Sequence, residues 1–179
     1  MHKLQTAAVA IALAFGAGTV AAADLARKDA RFLQDAAESG QLEISASQIA
    51  ERNASHPDVK AFAKMMVDDH TKVDGELKTL ASSKNVQLPT EPTRKVRSAL
   101  SDLQKKTGAD FDKEYADDIA VDAHEDAVEL FEKAAKDAED ADVKAFAAKT
   151  LPSLQQHLAK GKELQSLVKS SRENAQMKR

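Results

Sequence analysis

Three histidines and one glutamate carry the metal-capable chemistry of this sequence: His70, His124, His157 and Glu43. Imidazole is the common ligand of borderline transition metals, and a single carboxylate reduces the charge burden of a bound ion. Three imidazoles and one carboxylate would suit one zinc, copper, iron or nickel ion. Asp117, seven positions before His124, returns to nearly the same face of a regular helix and is a further candidate ligand. No catalytic set accompanies them. The chain has no cysteine, no glycine-rich phosphate loop, and neither a G-x-S-x-G nor an H-E-x-x-H motif.

Each of the four residues falls on an apolar helical stripe. Glu43 lies within about 20° of Phe32, Ala36 and Ala50 at 100° per residue. His70 shares a face with Val59, Ala63, Met66, Val73 and Leu77, and His157 with Phe146, Thr150, Leu154 and Leu164. His124 lies among Ala120, Ala127, Val128, Phe131 and Ala135. An unpaired charge on such a face is expensive. Two readings satisfy these groups. One is a metal ion held at mid-height. The other is a structural polar core, in which Glu43 accepts hydrogen bonds from the histidines and function is carried by the surface, as in an envelope interaction or stress-related protein.

The elements that position these residues are helices. Between Asp24 and Lys84 the chain is mostly Ala, Leu, Glu, Lys, Asp and Gln, with apolar residues at three- and four-residue spacing. The pattern predicts helices over 29–52, 57–84, 109–138 and 141–171. Ser55 is expected to cap the second, and Pro152 to kink the last. A short amphipathic helix, "TRKVRSALSDLQKK", lies in the connection between the two pairs. The hexapeptide DVKAFA opens the second helix of each pair, at Asp58–Ala63 and Asp142–Ala147. From the repeat to its histidine is 12 residues in one half and 15 in the other; the surplus is expected near the Pro152 kink. The fold expected is all-α: two antiparallel helical hairpins joined by a long crossover containing a short helix, forming a four-helix bundle. At about 1.5 Å per residue the four polar groups lie roughly 16–24 Å from the hairpin turns, near mid-bundle.

The first 23 residues read as a secretory signal peptide, with Lys3, an apolar run from Ala7 to Val20 and a small-residue cleavage site ending at Ala23. Residues 24–172 then form one domain, and 173–179 a flexible tail. The expected location is the periplasm or outside the cell, with no membrane span in the mature chain. Lys and Arg total 26 against 29 Asp and Glu, interspersed throughout, with one tyrosine and no tryptophan. That excludes a basic stripe or stacking platform for nucleic acid. An envelope protein partner or a homo-oligomer stays open.

The segments "AESGQLE", "DVKAFAKMMVDDHTK" and "FDKEYADDIAVDAHEDAVELFEKAAKDAEDADVKAFAAKTLPSLQQHL" resemble a family of exported, ferritin-like bacterial proteins. That family is registered as a domain of unknown function, and its members are often named as membrane or outer-membrane proteins. The resemblance spans nearly all of residues 29–168. It implies a helical bundle of the cell envelope and no established activity. The ferritin-like pattern would place a glutamate three residues before a histidine on the second and fourth helices. Here Val67 and Leu154 stand at those positions, and the core-facing residue of the third helix is His124. The bridging carboxylates are mostly missing, so oxygen-activating di-iron chemistry is not expected.

Overall fold

The computed structural model describes residues 25–177. The expected signal peptide and its cleavage point near Ala23 lie outside that range, as do the last two residues of the expected tail. The described residues are all-α. Helix α1 spans Arg27–Asn53, α2 Pro57–Ser83, α3 Arg94–Gln104 and α4 Gly108–Glu114. A π-helical segment, Tyr115–Asp122, runs on into α5, Ala123–Asp137, and α6 spans Ala141–Met177. Helix α1 packs along α2, and α5 along α6. Among the described helices none is long and apolar enough to cross a membrane.

The turns between paired helices are held from the opposite pair. Ser55 does not cap α2. His56 does so, its Nδ1 accepting from the Asp58 amide at 3.2 Å, with Pro57 in the first turn. The Ser55 amide instead donates to Asp112 Oδ1 and the His56 amide to Asp112 Oδ2, both at 2.9 Å, and the Ser55 hydroxyl also bonds Asp112. The other turn is held likewise. Asp29, in the first turn of α1, accepts from the amides of Glu139 at 3.0 Å and Asp140 at 2.7 Å. Asp140 in turn caps α6 through the amides of Asp142 and Val143. Both gripping residues are buried. The two turns therefore sit at opposite ends of the molecule, each fastened to the start of a helix from the other pair.

A direct prediction follows from this fastening. Asp112→Ala removes the acceptor of the part-buried Ser55 and His56 amides and should cost about 1–3 kcal/mol in denaturant unfolding. Asp110→Ala, at an exposed partner of Arg172, should stay within about 0.5 kcal/mol. Equal midpoints for the two variants would show that water replaces Asp112.

Helix α2 ends in a Schellman turn. Asn85 takes the left-handed conformation at φ 55°, Val86 N–H reaches the Ala81 carbonyl at 2.9 Å, and Asn85 N–H that of Ser82 at 3.2 Å. The crossover then runs back along α1. Gln34 donates to the Gln87 carbonyl at 3.2 Å, and Thr93 to Glu38 Oε1 at 2.7 Å. The apolar face of α3 is covered by its own chain: Val96 and Leu103 are buried, and Leu100 packs against the core.

Two features depart from the helices expected. The third is not one regular helix, because the eight-residue π-helical segment interrupts it. The last one continues unbroken through Pro152 to Met177, so part of the expected tail is helix and the three-residue surplus is not an insertion at a break. His157 simply lies about one turn further along its helix than His70 does.

The core divides into two apolar clusters. One holds Ala46, Ala50, Phe62, Met66, Tyr115 and Leu164; the other holds Phe32, Leu33, Leu77, Phe131, Phe146 and Leu154. On each long helix one polar residue separates them in sequence: Glu43 on α1, His70 on α2, His124 on α5 and His157 on α6. All four are at most 4% exposed.

Candidate metal centre

The three imidazoles face one another. Ring centroids are 5.5 Å apart for His70–His124, 5.2 Å for His70–His157 and 5.6 Å for His124–His157. One ring nitrogen from each lies within 4.8 Å of the others.

What orients each ring is its other nitrogen. His70 Nδ1 lies 2.9 Å from Glu43 Oε2. His124 Nδ1 donates to the Ile119 carbonyl at 2.9 Å, five residues back. That spacing belongs to the π-helical segment, whose i→i+5 geometry redirects a carbonyl that a regular turn would use elsewhere. His157 Nε2 lies 3.3 Å from Asp69 Oδ2, and Asp69 is also bridged by Lys72 at 3.1 Å. The three remaining nitrogens, His70 Nε2, His124 Nε2 and His157 Nδ1, are buried and have no hydrogen-bond partner. Glu43 Oε1 is the fourth such atom, 3.8 Å from His124 Nδ1. One nitrogen anchored to an oxygen acceptor and the other left with a free lone pair is the arrangement of metal-ligating histidine.

Asp117 lies elsewhere. Its carboxyl pairs with Lys113 and accepts from Gln165 Nε2 at 3.0 Å, and it is absent from the group of converging ligand atoms. A constant 100° step puts Asp117 and His124 on one face; the wider π-helical turns between them do not. The sequence reading missed Asp69 and the Ile119 carbonyl. Asp69 adjoins His70 in the chain, but its partner is on α6, and no single-helix pattern reveals that pairing.

Electrostatics follow the same geometry. Burial works against the charge of Glu43, yet the imidazoles of His70 and His124 outweigh it and hold the carboxyl below its ordinary range. Burial also works against a charged His70, but Glu43 beside it raises the imidazole above its usual value. His157 goes the other way: burial, then repulsion from His70 and His124, push it down to about 4.

These shifts set a pH dependence for the metal-free protein. An unfolded histidine takes up its proton near pH 6.5, so the contribution of neutral His157 is complete above about 6.5 and is lost as pH falls toward 4. His70 has the opposite sign: its contribution is complete below about pH 6.5 and is lost as pH rises through its raised folded value. With chelator present, the melting temperature should fall between pH 6.5 and 4, and His157→Gln should flatten that slope. Parallel curves for wild type and variant would refute this assignment.

Tyr115 completes the surroundings, its hydroxyl 2.8 Å from Ser47 Oγ and its ring edge-on to Phe62, which also borders His124. No curated protein matches the chain at a significant level. A solved structure described as CopM in the Cu(II)-bound form is similar in fold, with a TM-score of 0.63 at 18% identity over 77% of this chain and 95% of that one. Residues 15–164 match the family described as a domain of unknown function, DUF4142, and the chain belongs to that family.

Proposed function

We propose that this protein binds a single transition-metal ion through His70 Nε2, His124 Nε2 and His157 Nδ1. Glu43 and Asp69 orient the rings from behind, and the setting is an exported four-helix bundle of ferritin-like arrangement. The observation that carries the reading is the convergence of unpartnered buried atoms. Buried polar groups in native proteins are nearly always hydrogen-bonded, and here four at one level are not. One ion accepting three imidazole lone pairs satisfies three of them together.

An all-imidazole set favours Cu(II) and Zn(II), with nickel and iron behind. The Cu(II) named for the structure of similar fold supports testing copper first. Holding, buffering or sensing a metal fits the site better than catalysis. The cavity against Glu43 and His70 has about 20 Å³, room for one water-sized group and no organic substrate.

Metal content of the mature protein, purified without chelator or affinity tag, tests the proposal. Near-stoichiometric metal is the expected result. No bound metal, and no thermal shift with added Cu²⁺, Zn²⁺, Fe²⁺ or Ni²⁺, would leave the histidines as a structural polar core and send the search for function to the surface. Glu43→Gln keeps the shape but weakens the acceptor behind His70, and should lower metal affinity roughly 10–100-fold in a competition titration.

A further inference from the structure

We propose that the metal reaches the three imidazoles through a portal lined by Ser39 and Gly40 of α1 and Asp74 of α2; this rests on the metal-binding reading above. The cavity of about 20 Å³ has Glu43 and His70 in its wall together with Ser39, Gly40 and Asp74. Its wall runs from Glu43 and His70 to the partly exposed Ser39, Gly40 and Asp74, and His124 and His157 do not line it.

Gly40 is the second observation. Glycine is among the poorest helix formers, and this one lies inside the 27-residue helix α1. No close approach demands it: a Cβ built there meets nothing within 4 Å. Gly161 is the contrast, since its Cβ would strike the Ala120 carbonyl oxygen at 2.0 Å. Gly75 is unconstrained too, but it is exposed and does not line the cavity. Gly40 thus leaves open space at the cavity wall, which only a side chain longer than alanine's could occupy.

Asp74 adds charge at this opening. Its side chain is 29% exposed and pairs with Lys78 at 2.6 Å, a contact that an arriving cation can exchange. On the opposite side, His157 is bonded to Asp69, which also pairs with Lys72, and that side is the alternative route.

Stopped-flow binding of Cu(II) and Zn(II), paired with chelator-driven release, tests the portal in wild type, Gly40→Leu and Ser39→Leu. Circular dichroism and melting curves report whether each variant folds, and Gly40→Ala, whose Cβ meets nothing within 4 Å, is the control that favours the helix and should keep wild-type rates. Plugging should slow association and release together by about tenfold, with Kd changed by less than about threefold. Asp74→Asn should slow association alone, with an effect that fades at high salt. Wild-type rates in all the plugged variants would overturn the portal and direct the route to the Asp69–His157 side. A raised Kd with unchanged association would overturn it as well, since these residues would then shape the bound state. No metal bound by the wild type would overturn the site itself, and the portal with it.

Discussion

His124→Ala is expected to abolish tight metal binding while leaving the chain helical. Structural zinc sites bind with about 10–16 kcal/mol from four ligands, or roughly 3 kcal/mol each, so losing one imidazole should weaken affinity on the order of a hundred- to a thousandfold. His124 is the most sensitive of the three because it is fully buried and its Nδ1 is anchored to the main chain at Ile119. At a hundredfold excess over Kd, metal stabilises a native protein by about 2.7 kcal/mol, equivalent to roughly 5–10 °C in a domain of this size. The wild type should show that shift and the variant should not. A full shift in the variant would mean that the three histidines do not form the site.

The second large effect is expected at Gly161, on the face of α6 that meets the π-helical segment. Its missing side chain lets α6 lie against the backbone of Ala120: an added Cβ would come within 2.0 Å of that carbonyl oxygen and 2.8 Å of the carbonyl carbon. Main chain on both sides leaves no flexible side chain to yield, so Gly161→Ala forces the helices apart. Overpacking of this kind costs about 1–3 kcal/mol, and a clash with backbone belongs at the upper end or beyond. His157 lies one turn before Gly161, and Ala120 lies one turn before His124. The displacement therefore separates two of the three imidazoles. Gly161→Ala should lower the denaturation midpoint and weaken metal binding together, whereas Gly75→Ala, at an exposed and unconstrained position, should stabilise α2 by up to about 1 kcal/mol. Unchanged stability in Gly161→Ala would show that α6 can shift without strain.

Periodicity and composition determined much of this protein before any tertiary contact was known. The apolar stripes located the four long helical stretches to within a few residues, apart from the C-terminal extension of α6. The same stripes carried Glu43, His70, His124 and His157 into the interior, where all four are found. A helix face is a local property, set by a fixed angular step, so a regular helix shows its buried side in the sequence alone. Where the step changes, that logic stops. Asp117 shares a face with His124 only at 100° per residue, and the segment Tyr115–Asp122 does not keep that step.

Tertiary structure alone decided the rest. Ser55 looked like the cap of α2, yet it is held by Asp112 from 57 residues away, and His56 caps in its place. The free nitrogen on each imidazole is likewise chosen by a partner outside the simple pattern: Glu43 on another helix, Asp69 across from α6, and the Ile119 carbonyl turned by the π-helical segment. How the two histidines meet despite their unequal distances from the DVKAFA repeats is also decided by tertiary structure. The two hairpin turns lie at opposite ends, fastened there by Asp29 and Asp112, so the histidines are counted from different ends and meet although their distances from the repeats differ. Which residues are buried follows from local periodicity. Which buried atoms meet, and which lone pairs they leave free, depends on the packing of distant segments and appears only when the helices have docked.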